Sequence, residues 1–159
     1  SWWEVIYLIF QQASMDALLV AVAYSCTAGL LRALLLGYAL AIAAAYAALT
    51  FIGGLIPRKS WITFERMVWV STPGFLITCI LNGRRYLAFG EPLDLVLLGA
   101  WALLLLTMAA YWLYDRLDLT RKLWARGEGT WFSQNDVLHI GLILWMIYLA
   151  TLVAPHLHD

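Results

Sequence analysis

Between Ala33 and Ile56 the chain runs ALLLGYALAIAAAYAALTFIGGLI, and two tyrosines are its only ionisable side chains. A hydrocarbon core about 30 Å thick is crossed by roughly 20 apolar residues at ~1.5 Å rise each. The run is long enough to span a bilayer, and others like it follow. Composition agrees: 64% of the residues are hydrophobic, 13% are charged, and mean hydropathy is +0.79. Soluble domains sit nearer 45–50% apolar and about 25% charged. The expected fold is all-α, a polytopic integral membrane helical bundle of about five transmembrane helices in a single domain.

The five spans fall at about 14–29, 33–56, 67–83, 93–114 and 136–154, the first open to extension backwards through WWEVIYLIF. That opening stretch has no basic region and no small-residue cleavage site, so no signal peptide is expected. Only a short link around Arg32 separates the first two spans, which makes them antiparallel neighbours. Pro57 ends the second span, with the polar loop PRKSWITFER behind it. Pro73-Gly74 lies inside the third span and predicts a kink, its freed carbonyls met by Ser71, Thr72 or a neighbouring helix.

Loop charge sets the expected orientation. Arg58, Lys59, Arg66, Arg116, Arg121, Lys122 and Arg126 fall on one side, and Arg32, Arg84 and Arg85 on the other. Seven cations against three place the N-terminus and the 115–134 loop in the cytoplasm and the C-terminus outside. A bacterial inner membrane is the expected location. DRLDLTRK, from Asp115 to Lys122, reads as a cytoplasmic extension of the fourth span with an Asp118–Lys122 pair. GEG at 127–129 reads as a flexible break, with Trp124 and Trp131 at the headgroups.

Along the second span Gly37, Ala41, Ala45 and Ala48 form a stripe of small residues. Small side chains let helices approach closely, the main packing device in lipid. The tight link to the first span favours a contact within the chain over one with another subunit.

Ionisable groups inside spans are costly and carry a functional hypothesis. Asn135, Asp136 and His139 open the fifth span as NDVLH, where helical spacing puts His139 on a face with each of the other two. A carboxylate-oriented histidine suits a metal ligand or a base. A helix N-cap is the favoured reading for Asn135 and Asp136, and a structural or interfacial histidine for His139. His156 and His158 lie beyond the far end of that span and cannot join His139 on one helix. Metal candidates are therefore His139, Asp136 and Asp16, too few for zinc without help from another chain. His139 alone could still ligate a tetrapyrrole pigment, a haem or a chlorophyll-type macrocycle, from one side. Asp16 either caps the first span after Ser14 or faces inward. Glu4 and Asp94 read as interfacial, and Arg32 as a residue that snorkels to the surface. Cys26 and Cys79 read as free buried thiols, with a disulfide as the alternative. No nucleotide-binding, nucleophile-elbow, metalloprotease or C-x-x-C motif occurs, and a net charge of +0 gives no field for nucleic acid.

At FSQNDVLHIGLILWMIYL the chain resembles the terminal helix of small bacterial relatives of the alkaline ceramidase/progestin-receptor membrane hydrolase superfamily, in which an N-D-x-x-H element begins that helix. SMDALLVAVAY is similar to the family's first helix, and FIGGLIP to a Gly-Gly element ending the second. The family follows those glycines with a histidine, whereas Leu55, Ile56 and Pro57 follow Gly53-Gly54 here. The resemblance covers about a quarter of the chain. It implies the scaffold, with His139, Asp136 and Asp16 as the carried-over metal candidates, but not the whole zinc site.

Three functional expectations follow. The first is a non-enzymatic subunit of a larger membrane complex, photosynthetic or respiratory, packed against partner helices, lipids or pigments. Small size, abundant Trp and Tyr and the small-residue stripe motivate it. The second is a membrane-embedded metal-dependent lipid hydrolase of the ceramidase type. The third is pigment or haem binding through His139.

Overall fold

The computed structural model describes residues 2–56, 61–126 and 132–157. Among them it is all-α: 91% helical, with six α-helices and no strand. These are α1 (Trp2–Cys26), α2 (Gly29–Leu55), α3 (Phe64–Phe89), α4 (Pro92–Arg116), α5 (Leu119–Ala125) and α6 (Gln134–Tyr148). A π-helical turn at Leu149–Val153 and a 3-10 turn at Ala154–His156 prolong α6. Five helices, all but the short α5, are long and apolar enough to cross a membrane. Their outward faces carry Leu40, Leu87, Phe10 and Ile80 well exposed, which water would penalise and lipid does not.

The chain divides into two compact units, with the boundary inside α3 between Leu81 and Asn82. In the first unit α1 and α2 pack side by side. Leu19 and Ala23 meet Leu35 and Ala39 near the α1–α2 turn, with Leu81 of α3 packed on the cluster. Farther along, Leu8, Tyr46 and Met67 join α1, α2 and α3. Arg32 closes the turn. Its guanidinium donates to Thr27 O at 2.9 Å and Tyr24 O at 3.0 Å and lies over the Tyr24 ring. The expected snorkelling residue is therefore a cap on the last carbonyls of α1, where a cation also meets the negative helix end.

In the second unit α4 packs against α6 at close range. Trp145 Nε1 donates to Ala100 O at 3.0 Å, and the Tyr148 hydroxyl to Val96 O at 3.1 Å. Gly99 makes room for the Tyr148 hydroxyl, and Gly141 for Thr107. A Cβ at either glycine would fall well inside van der Waals contact.

Several expected boundaries move. The first span gains the whole of WWEVIYLIF, so Asp16 stands mid-helix instead of near its start. The extension of α4 is interrupted: Asp118 takes a left-handed backbone, φ 48°, and α5 starts anew behind it. Asp accepts that conformation more readily than most residues. The ion pair of Asp118 runs to Arg121 at 3.6 Å, both exposed, in place of the expected Lys122. Within α3, Thr72 Oγ1 donates to Val68 O at 2.7 Å, while Ser71 is engaged with Gln12 of α1. Pro57, the GEG segment, Trp131 and His158 lie outside the described residues.

The small-residue stripe faces away from α1. Gly37, Ala41, Ala45 and Ala48 are all exposed, and nothing lies within 4 Å of a Cβ placed on Gly37. The buried face of α2 is instead Leu35, Ala39, Tyr46, Thr50 and Gly53. That stripe does not make the expected contact within the chain: α2 meets α1 through Leu35 and Ala39 and, at its far end, through Gly54, where a Cβ would lie 3.0 Å from Val5 Cγ2.

Candidate functional site

The residues singled out in the NDVLH segment are built into the start of α6. Ser133 is the N-cap, and Asp136 Oδ2 accepts from its backbone N–H and its hydroxyl, each at 2.7 Å. This reciprocal capping box occupies the carboxylate. Asn135 is one residue inside the helix, and its carbonyl accepts from His139 Nδ1–H at 2.7 Å. The His139 ring is exposed, and Nε2 is the nitrogen left to bind anything else. His156 repeats the pattern, donating from Nδ1 to Leu152 O at 2.7 Å. A zinc site needs three or four ligands. Among the described residues no three of His, Cys, Asp and Glu converge on one point. Asp16 belongs to the other unit. The described donors do not fit a zinc centre. Neither Cys26, which is buried, nor Cys79, which is half-buried, forms a disulfide.

Two buried polar networks escaped the sequence. In the second unit the reversal through Gly90 and Glu91 sets the end of α3 beside the start of α4. Gly90 takes φ +68° and returns its N–H to Tyr86 O at 2.8 Å, ending α3 with a left-handed glycine. Pro92 then opens α4, where its missing N–H costs nothing. Asp94, in the first turn, is wholly buried. Arg85 Nε reaches both its oxygens at 3.1 and 3.2 Å, and Asn82 Nδ2 donates to Oδ1 at 2.8 Å. Trp101 Nε1 donates in turn to Asn82 Oδ1 at 3.2 Å. The positive end of α4 adds a further favourable field. Every oxygen of Asp94 and Asn82 is answered.

In the first unit Gln12 and Asp16 stand one turn apart on α1, both buried. Ser71 of α3 donates to Gln12 Oε1 at 2.7 Å, which turns the amide so that Nε2 donates to Asp16 Oδ1 at 3.0 Å. Asp16 Oδ2 is buried without a hydrogen-bond partner. From α2 comes Tyr38, whose ring would lie 3.4 Å from a Cβ on Gly74. Its hydroxyl is buried without a hydrogen-bond partner, and its side chain packs on the cluster that holds Leu19, three residues on from Asp16. α1, α2 and α3 thus meet around this turn of α1, through the Ser71–Gln12 bond and the packing of Tyr38 and Gly74 by Leu19. The signal was present in the sequence as Gln12 and Asp16 four apart, but the shorter span hid its depth.

Comparison with protein-family models, curated proteins and solved structures gives no match for this chain.

Proposed function

We propose that this chain is a non-enzymatic integral membrane subunit of a larger membrane complex, in contact with partner helices and lipid. The outward face of α2 carries the reading. Gly37, Ala41, Ala45 and Ala48 are exposed on a helix whose other face already packs on α1. In lipid a row of small residues is the surface on which a further helix can approach most closely. The engagement of Asp94 with Arg85 and of Asp136 with Ser133 supports the same reading, since both carboxylates hold helices in place. Positive loops put the N-terminus and the 115–134 loop in the cytoplasm of a bacterial inner membrane, and the C-terminus outside.

The test is native mass spectrometry of the chain extracted in mild detergent from its own membrane. Other transmembrane subunits are expected to co-purify. Gly37→Leu with Ala41→Leu should release them while leaving the unfolding midpoint of the isolated chain within about 0.5 kcal/mol of wild type. A stable partner-free monomer from native membranes would refute the subunit reading.

His139 favours a second reading. Its Nδ1 is fixed by Asn135 O and its ring is exposed, which leaves Nε2 to serve as a single axial ligand to a haem or chlorophyll-type pigment. The same preparation decides it: a visible absorption band lost in His139→Ala supports pigment binding, and a colourless sample removes it.

A further inference from the structure

We propose that the interior of the first unit holds a binding site for one small monovalent cation, with the Asp16 carboxylate as its charged ligand and the Tyr38 and Ser71 hydroxyls beside it. The site does not depend on whether a partner covers α2.

Depth comes first. Asp16 lies roughly 21 Å from the Trp2 end of α1 and roughly 15 Å from the Cys26 end, at ~1.5 Å per residue. That places it within the hydrocarbon slab, where an uncompensated carboxylate costs several kcal/mol even after relaxation. The second unit shows how this chain meets such a cost: Asp94 has a guanidinium, an amide and a helix N-terminus. Asp16 has one amide, from Gln12, on one oxygen. Among the described residues it forms no ion pair, and Oδ2 has no donor. A water could donate to Oδ2, but it would leave the charge unbalanced.

Either a proton or a cation would remove the charge, and the neighbouring oxygens suit a cation of one kind. One carboxylate balances one unit charge, whereas a divalent ion would leave a net charge in lipid. The other polar atoms are oxygens, which suit a hard cation. Ser71 Oγ donates its hydrogen to Gln12 Oε1, so its lone pairs remain available. The Tyr38 hydroxyl likewise has lone pairs, and it is buried without a hydrogen-bond partner. The three ligands come from α3, α2 and α1, so occupancy would tie the three helices together and register as stability.

The experiment uses the full chain in detergent, titrated with sodium chloride or with choline chloride at matched ionic strength. The unfolding midpoint is expected to rise saturably with sodium and not with choline, and radiosodium is expected to bind at one site per chain. Asp16→Asn should abolish both responses. Tyr38→Phe and Ser71→Ala, which remove one oxygen each, should weaken apparent sodium affinity on the order of three- to tenfold. Equal midpoints in sodium and choline would mean that a proton or nothing fills the role, and would overturn the site. A saturable sodium response that survives in Asp16→Asn would overturn it as well. If Asp16→Asn does not fold, unchanged sodium affinity in both hydroxyl variants does the same.

Discussion

Asp94 and Arg85 form a pair whose two members are unequally placed. The Asp94 side chain is 0% exposed and that of Arg85 27%. Removing one partner of a buried pair costs most when the charge left behind has no other environment to reach. Arg85→Ala strands the carboxylate among Asn82, Trp101 and apolar side chains. Asp94→Ala leaves a long side chain that can turn towards headgroups. Arg85→Ala is therefore expected to lose about 3–4 kcal/mol and Asp94→Ala about 2 kcal/mol, read from the denaturation midpoint in mixed micelles. The reverse order would mean that Arg85 is the more confined member. Hydropathy could not find this network, because it scores Asp94 as a charge near a span end, where charges are cheap. The legible clue was local: Asn82 and Arg85 three apart, a Gly90-Glu91-Pro92 reversal, and an acid two residues on. The NDVLH segment was read more fully. Its capping role is seen at Asp136, although the N-cap is Ser133, which the serine-to-aspartate spacing already allowed.

Helix centres followed from the uncharged runs, since a bilayer demands backbone hydrogen bonds satisfied within the segment. Helix ends did not. α1 reaches back to Trp2, the first described residue, its buried face continuing through Leu8 and Val5. α4 stops at Arg116 because Asp118 turns left-handed, which charge spacing alone does not reveal. Which face of a helix packs was also hidden. Small residues mark two different surfaces here: an exposed stripe on α2, and single glycines at the α4–α6 crossing. The two kinds respond oppositely to a methyl group. Gly99→Ala would drive its Cβ into the Tyr148 hydroxyl, and Gly141→Ala into Thr107. Each is expected to cost about 1–3 kcal/mol as an overpacking change. Thr107→Ala should restore part of the loss in Gly141→Ala, because it removes the two nearest atoms and leaves only the Cβ close. Gly37→Ala meets nothing within 4 Å and should be neutral or stabilising by up to about 1 kcal/mol in the isolated chain. Thermal unfolding of the four variants side by side checks the contrast. Equal effects at Gly37 and Gly141 would contradict the assignment of faces.

For the molecule as a whole, loop charge sets the expected orientation. Seven cations against three is a modest bias when all are counted alike. Their surroundings differ. On the side with fewer, Arg32 is bound to the α1 carbonyls and Arg85 to Asp94, while Arg84 is exposed. On the other side Arg66, Arg116, Arg121, Lys122 and Arg126 are all exposed. A cation held by a buried carboxylate or by helix-end carbonyls is partly neutralised and has less reason to seek the cytoplasmic leaflet, whereas exposed cations near helix ends, Arg121 beside the exposed Asp118 among them, are drawn to its negative surface. Among the described residues the exposed cations are thus more one-sided than the raw count. Orientation can be read with single cysteines placed in a background of Cys26→Ala and Cys79→Ala, neither native cysteine forming a disulfide. Glu91→Cys, in the reversal between α3 and α4, should react with a membrane-impermeant maleimide in spheroplasts. Lys122→Cys, on α5, should react only after the membrane is opened. Labelling of Lys122→Cys in sealed spheroplasts would invert the topology. It would also show that the bound arginines, and not the exposed cations, direct insertion.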